Sequence, residues 1–300
     1  MLYKPYRDFL AEVFPGFRKV RKMPLSGGMT CPNLDGTKGF SGCAYCNNRS
    51  FSPVWNLAKV SVEEQIATLL PPLREKYPEA GVLAYFQPYT NTYAPVDRLR
   101  EILSAALFHP DVAGISVGTR PDCLADPVVE LLAELNEKKR VIVEVGLQSA
   151  ADKTLNAINR RHTFREFQEA VERLRRRGLS VTTHVIVGLP GESVPDFLST
   201  ARAVRDLGIS AVKIHPLHIV CGTRLAEEYA SAEFELLSFE DFCEAVALMI
   251  LEMGTDVAIE RFSGESPGDL LIAPSWSGDR NRIAACVENH LKELKHEGLL

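Results

Sequence analysis

Long apolar runs, an excess of basic charge and a flexible linker are all missing from this sequence of 300 residues. No run approaches the roughly 18 apolar residues that a membrane-spanning helix requires. The opening residues, MLYKPYRDFLAEVF, lack the basic and then apolar order of a signal peptide. We therefore expect a cytosolic protein with no membrane partner. The net charge of −5 also argues against a general polyanion-binding protein.

No stretch rich in glycine, serine or proline divides the chain, so the sequence predicts one main domain with additions at both ends. Its hydrophobic fraction of 46% is large enough for a sizeable core, and its charged fraction of 24% is typical of soluble globular proteins. We predict an N-terminal extension over 1–19, a core over 20–222 and a C-terminal extension over 223–300.

Strand and helix patterns alternate through the core. The predicted strands are Val20–Leu25, Val82–Phe86, Val112–Val117, Val141–Leu147, Val181–Val187 and Ala211–Leu217. Amphipathic helices are predicted at Val96–Phe108, Pro127–Glu137, Phe164–Arg177 and Pro195–Leu207, and two more follow the core at Phe239–Met253 and Asn281–Lys295. This alternation predicts an α/β fold with a parallel sheet, either doubly wound or a partial (β/α)6 barrel. In both, ligands bind at the carboxyl ends of the strands.

A framework of disulfides is not favoured, because the cysteine count of seven is odd and the chain is expected to be cytosolic. Four cysteines occur singly, as buried small residues often do: Cys123, Cys221, Cys243 and Cys286. The other three share the segment CPNLDGTKGFSGCAYC, directly after the first predicted strand.

Cys31, Cys43 and Cys46 give this segment a C-x11-C-x2-C spacing. Three thiolates on one loop form a soft ligand set that suits zinc or iron–sulfur chemistry. A structural zinc site normally has four protein ligands, and the next histidine is His109. The loop therefore suits a [4Fe–4S] cluster with one iron open to a small molecule. From spacing alone, a zinc site completed by a distant residue and a redox C-x-x-C pair remain open.

Seven segments in series resemble motifs of the radical S-adenosylmethionine (SAM) superfamily, and most closely its Elongator-like branch and the YhcC/YtqA group. They are CPNLDGTKGFSGCAYCNNRSF, YFQPYTNTYAP, VGTRPDCL, EVGLQSA, NRRHT, VIVGLPGE and HPLHIVCGTRL. The long first gap between cysteines departs from the commonest C-x3-C-x2-C form. The resemblance implies a partial (β/α)6 TIM-like barrel with a C-terminal α-rich extension that closes one side.

The same resemblance implies two cofactors, a [4Fe–4S] cluster and SAM. Cys31, Cys43 and Cys46 would each bind one iron, and SAM would bind the fourth through its amino and carboxylate groups. Electron transfer from the reduced cluster would then cleave SAM to a 5′-deoxyadenosyl radical. The electron donor would be a protein such as flavodoxin or ferredoxin.

Contacts to SAM are also implied by the resemblance. Gln148 matches a SAM-contacting glutamine, and Arg160 matches an arginine near the SAM carboxylate, with Arg161 as the adjacent alternative. His184 occupies a ribose-facing position that is often acidic in relatives. The other implied contacts are Tyr45, Gln87, Glu144, Ile186, Gly188 and Leu189. Read without the resemblance, these residues are polar strand ends, a solvated turn and a strand-to-helix turn.

Five further residues are candidates for the substrate side of the site: Tyr89, Asn91, Lys213, His215 and His218. The two histidines could equally be structural, and no acid–base residue is assigned. The resemblance implies tRNA as partner and substrate, with conversion of a carboxymethylaminomethyl group on C5 of the wobble uridine to aminomethyl. The basic segment FRKVRK, residues 17–22, is a candidate phosphate contact. The alternatives are a radical SAM enzyme acting on a small molecule or tetrapyrrole, and a non-enzymatic zinc-stabilised binding protein.

Overall fold

The computed structural model describes residues 2–264 and 266–296, and its centre is a parallel sheet of eight strands. The ten strands within these described residues are β1 Lys4–Pro5, β2 Val20–Leu25, β3 Gly81–Phe86, β4 Val112–Thr119, β5 Arg140–Gln148, β6 Ser180–Val187, β7 Ala211–Pro216, β8 Ile219–Val220, β9 Ala258–Arg261 and β10 Leu271–Ala273. The large sheet has the order β1-β9-β7-β6-β5-β4-β3-β2. Strands β8 and β10 form a separate antiparallel pair.

Eleven α-helices accompany the sheet in the described residues. They are α1 Tyr6–Val13, α2 Asn48–Phe51, α3 Val62–Lys76, α4 Val96–Leu107, α5 Asp126–Lys138, α6 Asp152–Ala157, α7 Phe164–Arg176, α8 Val194–Asp206, α9 Arg224–Ala230, α10 Phe239–Met253 and α11 Arg280–His296. A 3-10 turn covers Pro121–Cys123. In the parts of the chain that the structure describes, no helix is both long and apolar enough to cross a membrane.

Local sequence explains where the helices begin and which face they bury. Helix α7 starts after Thr163, whose hydroxyl and the Glu166 carboxylate form a reciprocal capping box. Its buried residues recur at three- and four-residue spacing and pack towards β5 and β6. Helix α3 is not among the predicted helices, although Ser61 and Glu64 form the same capping box at its start. Its two internal prolines, Pro71 and Pro72, weaken the helical pattern there.

The sheet is curled, because side chains from strands far apart in the sheet order meet in its interior. Lys22 on β2 forms ion pairs with Glu144 on β5 and with Glu260 on β9. Helix α1 covers the amino end of the barrel, where Phe9 and Phe14 pack with buried residues from the starts of the strands. The predicted partial barrel is confirmed, and β9 and β1 extend its sheet beyond the six predicted strands.

Candidate active site

A cavity opens at the carboxyl ends of the strands, as the parallel topology predicts. All three clustered cysteines, Cys31, Cys43 and Cys46, line it. The remaining wall comes from strand ends and from the loops that follow them: Gln87, Tyr89, Gly118, Arg120, Gly146, Gln148, Ile186, His215, Pro216 and Arg261 are among its residues. The strands therefore bring together segments that are up to 230 positions apart in the sequence.

Cys43 lies buried among hydrogen-bond donors. The side-chain amide of Asn33 and the guanidinium of Arg160 each place a nitrogen 3.5 Å from its sulfur. A nitrogen of Arg120 lies 3.9 Å from the same sulfur. Arg120 is itself held by Asp122, through nitrogen–oxygen distances of 2.9 and 3.1 Å. Donors of this kind favour a thiolate and tune the potential of an iron–sulfur cluster.

The thiols differ in how readily they ionise. Burial acts to raise the pKa of Cys43, but the guanidinium groups of Arg160 and Arg120 outweigh it and lower the pKa below its ordinary value. Burial raises the pKa of Cys46 to about 12, and the sulfur of Cys43 adds to the increase. Three thiols that face one cavity, one of them with a lowered pKa, form a donor set suited to a metal cluster.

The backbone is irregular at the end of β5, where Gly146 and Gln148 line the cavity. Gln148 has a φ of 73°, a left-handed conformation that a glutamine rarely adopts, and the sheet register shifts between Gly146 and Gln148. A Cβ atom on Gly146 would lie 2.5 Å from a terminal nitrogen of Arg160 and 2.6 Å from the Gln148 amide nitrogen. Strain of this kind is typical of a functional site. Here the side chains of Gln148 and Arg160 both line the cavity.

The polar groups at this point fit a bound SAM molecule. Arg160 donates from one terminal nitrogen to the carbonyl of Gly146, at 2.9 Å. Its Nε is buried and has no hydrogen-bond partner among the described residues. A buried donor without a partner is costly, and a carboxylate is the partner that a guanidinium binds best.

A layer of charged side chains lies directly below the cavity. One oxygen of Glu144 accepts from Lys22 at 2.7 Å and from Ser116 at 2.6 Å. The other oxygen pairs with Lys213 and lies 2.9 Å from Nε2 of His184. Burial acts to raise the pKa of Glu144, but the ammonium groups of Lys213 and Lys22 outweigh it and hold the pKa well below its usual range.

Three histidines with lowered pKa values face the cavity. Burial and, after it, the ammonium of Lys213 together lower the pKa of His184 to about 4, against the opposing effect of Glu144. Burial and the nearby Arg261 lower the pKa of His215 well below its ordinary value, and burial also lowers that of His218. The rings of His184 and His215 stack with their centroids 5.5 Å apart. Neutral imidazoles offer both a donor and an acceptor to a bound molecule.

Most of the residues proposed from sequence meet in this cavity, and four do not line it. Those on the wall are Tyr45, Gln87, Tyr89, Glu144, Gln148, Arg160, His184, Ile186, His215 and His218. Asn91 is buried, and its amide donates to the carbonyls of Phe86, Pro88 and Gly118. The structure therefore gives Asn91 the role of supporting the loop after β3 rather than facing a substrate.

Lys213, Gly188 and Leu189 also lie outside the lining. Lys213 is 2% exposed. Its ammonium group pairs with the carboxylate of Glu144 and donates to the hydroxyl of Tyr85 at 3.1 Å. Leu189 is buried in an apolar cluster with residues such as Leu155. Gly188 has a φ of 93° and forms the turn after β6. These residues shape the floor and the frame of the cavity.

The suggested phosphate contact at FRKVRK is not supported by the fold. Lys22 points into the barrel, where it pairs with Glu144 and Glu260. Arg21 stacks on the ring of Tyr77, 4.5 Å from its centroid. The exposed Arg18 and Lys19 precede β2, which places them at the amino end of the barrel, opposite the cavity.

Two arginines of the site were not selected from the sequence. Arg120 belongs to the segment VGTRPDCL, so its position directly after a predicted strand was an available signal. Arg261 is the last residue of the short strand β9, for which the sequence carried no recognised strand pattern, and it lines the cavity. Among the described residues, its buried Nε has no hydrogen-bond partner.

A parallel partial barrel with three thiols at the carboxyl ends of its strands, and a guanidinium and a glutamine beside them, is the architecture of an iron–sulfur enzyme that uses SAM. The model of the Radical SAM superfamily matches residues 39–204, and that of the Radical_SAM C-terminal domain matches residues 209–293. The chain belongs to the radical SAM superfamily. Its cofactors are those of the family, a [4Fe–4S] cluster and SAM, as expected from the sequence.

Relatives of known sequence agree with the predicted group. The protein YtqA of Bacillus subtilis is 38% identical over 280 residues, which cover 93% of this chain and 86% of YtqA. The protein YhcC of Escherichia coli K12 is 40% identical over 284 residues, covering 94% of this chain and 90% of YhcC. A tRNA uridine(34) acetyltransferase of Methanocaldococcus infernus is 25% identical over 161 residues, which are 53% of this chain and 30% of that protein.

A solved structure confirms the fold. The archaeal Elp3 of Methanocaldococcus infernus superposes with a TM-score of 0.66 at 18% sequence identity. The superposition covers 94% of this chain, and this chain spans 63% of the Elp3 chain. The shared part is the partial barrel with its C-terminal additions.

Proposed function

We propose that this enzyme acts on the wobble uridine of tRNA and converts its carboxymethylaminomethyl side chain to aminomethyl. The C–N bond between the amine and the carboxymethyl group would break oxidatively: the methylene of the carboxymethyl group would give up a hydrogen atom to the 5′-deoxyadenosyl radical and one electron to the oxidised cluster, and water would hydrolyse the resulting imine and release the two carbons as glyoxylate. When bound, the reduced cluster supplies the electron that cleaves SAM and yields a 5′-deoxyadenosyl radical. Flavodoxin or ferredoxin is the class of protein proposed to reduce the cluster.

The observation that carries this proposal is the position of Arg261. Arg261 lines the cavity from the end of β9, whereas Arg160 lines it from the loop between α6 and α7. The Nε of Arg261 is buried and without a partner among the described residues. Arg160 suits the carboxylate of SAM, so a second guanidinium with an unused donor suits a second carboxylate. The carboxymethylaminomethyl group carries one.

The neighbouring histidines suit the rest of such a side chain. Burial lowers the pKa values of His215 and His218, which disfavours further positive charge beside the secondary amine of the substrate. His184 is oriented by Glu144 below it, which leaves the exposed part of its ring for the cavity. These residues bind and orient the side chain of the substrate.

Two similarities support a nucleic-acid substrate. One partial relative is named for uridine 34 of tRNA, and the barrel superposes on an archaeal Elp3. The net charge of −5 means that contacts with tRNA phosphates are local. Salt-sensitive binding of tRNA would distinguish this proposal from a small-molecule substrate, since phosphate contacts release counterions.

The direct test uses tRNA that carries the carboxymethylaminomethyl group at position 34. The protein, reconstituted with iron and sulfide under anaerobic conditions, is incubated with this tRNA, SAM and dithionite. Nucleosides and 5′-deoxyadenosine are then measured by mass spectrometry. We expect aminomethyluridine to appear together with 5′-deoxyadenosine, and neither product from a Cys46→Ala variant.

Arg261→Gln tests the role of the carboxylate partner. We expect product formation to fall roughly tenfold or more, the loss of about one charged hydrogen bond, with unchanged affinity for SAM. Arg98→Gln, on the exposed face of α4, is the matched control. If 5′-deoxyadenosine forms while the tRNA nucleosides stay unchanged, the tRNA proposal is wrong and only the SAM chemistry remains.

A further inference from the structure

A second group of metal-binding side chains lies between helices α10 and α11, outside the cavity. Glu240, Cys286 and His290 offer a carboxylate oxygen, a sulfur and a ring nitrogen that all lie within 4.8 Å of one another. None of the three lines the cavity of the cluster cysteines. Carboxylate, thiolate and imidazole together are the ligands found in protein zinc sites.

The distances between these atoms match the edges of a tetrahedral site. The sulfur of Cys286 lies 3.2 Å from Oε2 of Glu240, and Nε2 of His290 lies 3.6 Å from the same oxygen. For metal–ligand bonds of about 2.0–2.3 Å, atoms at the corners of a tetrahedron lie roughly 3.3–3.8 Å apart. The side chains are thus already spaced as ligands of one small ion.

Cys243 is the candidate for a fourth ligand, although its sulfur is not among the atoms that lie within 4.8 Å of one another and would have to move closer. Its thiol interacts with the thiol of Cys286 as a hydrogen-bond partner, and its side chain is fully buried on α10. Glu240 and Cys243 are three residues apart on α10, and Cys286 and His290 are four apart on α11. Residues at these spacings share one face of a helix, so each helix presents two ligands to the other.

The packing of the two helices holds this arrangement in place. Helix α11 buries Ile283, Val287 and Leu291, which repeat every four residues along the face beside the ligands. Helix α10 is capped by Ser238, whose hydroxyl accepts from the backbone of Asp241, so its first turn, which carries Glu240, is ordered. The guanidinium of Arg282 stacks over the ring of Phe239, 4.1 Å from its centroid.

We propose that Glu240, Cys243, Cys286 and His290 bind one zinc ion, separate from the iron–sulfur cluster, that fastens α11 to α10. The four ligands complete the number that a structural zinc site requires. Zinc binding displaces the thiol protons and needs no redox change. Because α11 is held mainly by its apolar face, the ion stabilises the docking of this helix on the barrel.

The test measures zinc in the full chain with its iron–sulfur cluster reconstituted. After equilibration with Zn²⁺ and dialysis against metal-free buffer, we expect about one zinc per chain by mass spectrometry, beside about four irons. Cys286→Ser and His290→Ala should each lose the zinc and keep the iron. The matched controls Cys221→Ser and His109→Ala should keep both.

Co²⁺ provides a second readout that does not depend on retention. Bound to wild-type protein, it should give sulfur-to-cobalt charge-transfer absorption that is weakened in Cys243→Ser and absent in Cys243→Ser/Cys286→Ser. A Cys31→Ala/Cys43→Ala/Cys46→Ala background should keep the absorption, which separates this site from the cluster. Wild-type protein without zinc or cobalt absorption, or a Cys243–Cys286 disulfide under reducing conditions, would overturn the proposal.

Discussion

The ammonium group of Lys22 on β2 lies 2.8 Å from the carboxylate of Glu260 on β9, although the two strands are six steps apart in the sheet order. In a flat sheet, strands six steps apart would be separated by roughly 29 Å. The ion pair therefore forms only because the sheet curls into a barrel. Glu144 and Lys213 complete this layer, so two positive and two negative charges share one buried space.

Glu144→Gln should destabilise the fold strongly. The carboxylate pairs with both buried lysines, and losing its charge leaves two ammonium groups with Glu260 alone. We expect a loss of about 3–5 kcal/mol in the free energy of unfolding, measured by urea denaturation. Glu134→Gln breaks an exposed pair with Arg100 and should cost less than about 1 kcal/mol. Similar losses in the two variants would contradict a stabilising role for the buried layer.

Asp122 should make stability depend on pH in the acidic range. Burial acts to raise its pKa, but Arg120 and Lys38 outweigh burial and lower the pKa from 3.8 to about 2. A depressed carboxyl pKa stabilises the fold above its unfolded value, and this contribution is lost as the pH falls from about 4 towards 2. The shift corresponds to roughly 2 kcal/mol. In the cluster-free protein, denaturation at pH 6 and pH 3 should show a smaller loss for Asp122→Asn than for wild type.

Arg160→Gln should lower the reduction potential of the bound cluster. Its guanidinium lies 3.5 Å from the Cys43 sulfur and favours the more negative, reduced state. Losing one charged hydrogen bond of about 1.5 kcal/mol corresponds to a shift on the order of 60 mV for one electron. Redox titration followed by electron paramagnetic resonance measures the shift. Arg161→Gln, at an exposed neighbouring residue, is the control, and equal potentials in both variants would contradict the role of Arg160.

Gly146→Ala should weaken SAM binding and leave the iron content unchanged. The added methyl group would displace the Arg160 and Gln148 side chains, whose nitrogens lie 2.5 and 2.6 Å from its position. We expect at least roughly a tenfold lower affinity for SAM in equilibrium dialysis. Gly16→Ala meets no atom within 4 Å and serves as the control. An unchanged affinity would show that the two side chains need not occupy their present positions.

Much of the site was predictable because its residues belong to short sequence segments with recognisable patterns. Cys31, Cys43 and Cys46 follow the first core strand, and Gln148 ends the fourth predicted strand. Parallel strands place their carboxyl ends together, so residues after different strands were expected to meet. Asn91 shows the limit of that rule, since it follows a strand yet turns its amide to backbone carbonyls.

The sequence by itself determined the order of the six core strands and of six helices, the cysteine loop and the edge of the sheet that carries the site, because hydrophobic periodicity, turn residues and ligand spacing are local properties. Only the tertiary structure decided that Lys22 lies inside the barrel, that Arg261 reaches the cavity, and that Glu240, Cys286 and His290 converge. These contacts join residues far apart in the chain, through the curl of the sheet and the packing of α11 on α10. Neither the curl of the sheet nor the packing of α11 on α10 produces a periodicity or a spacing that can be read from the linear sequence.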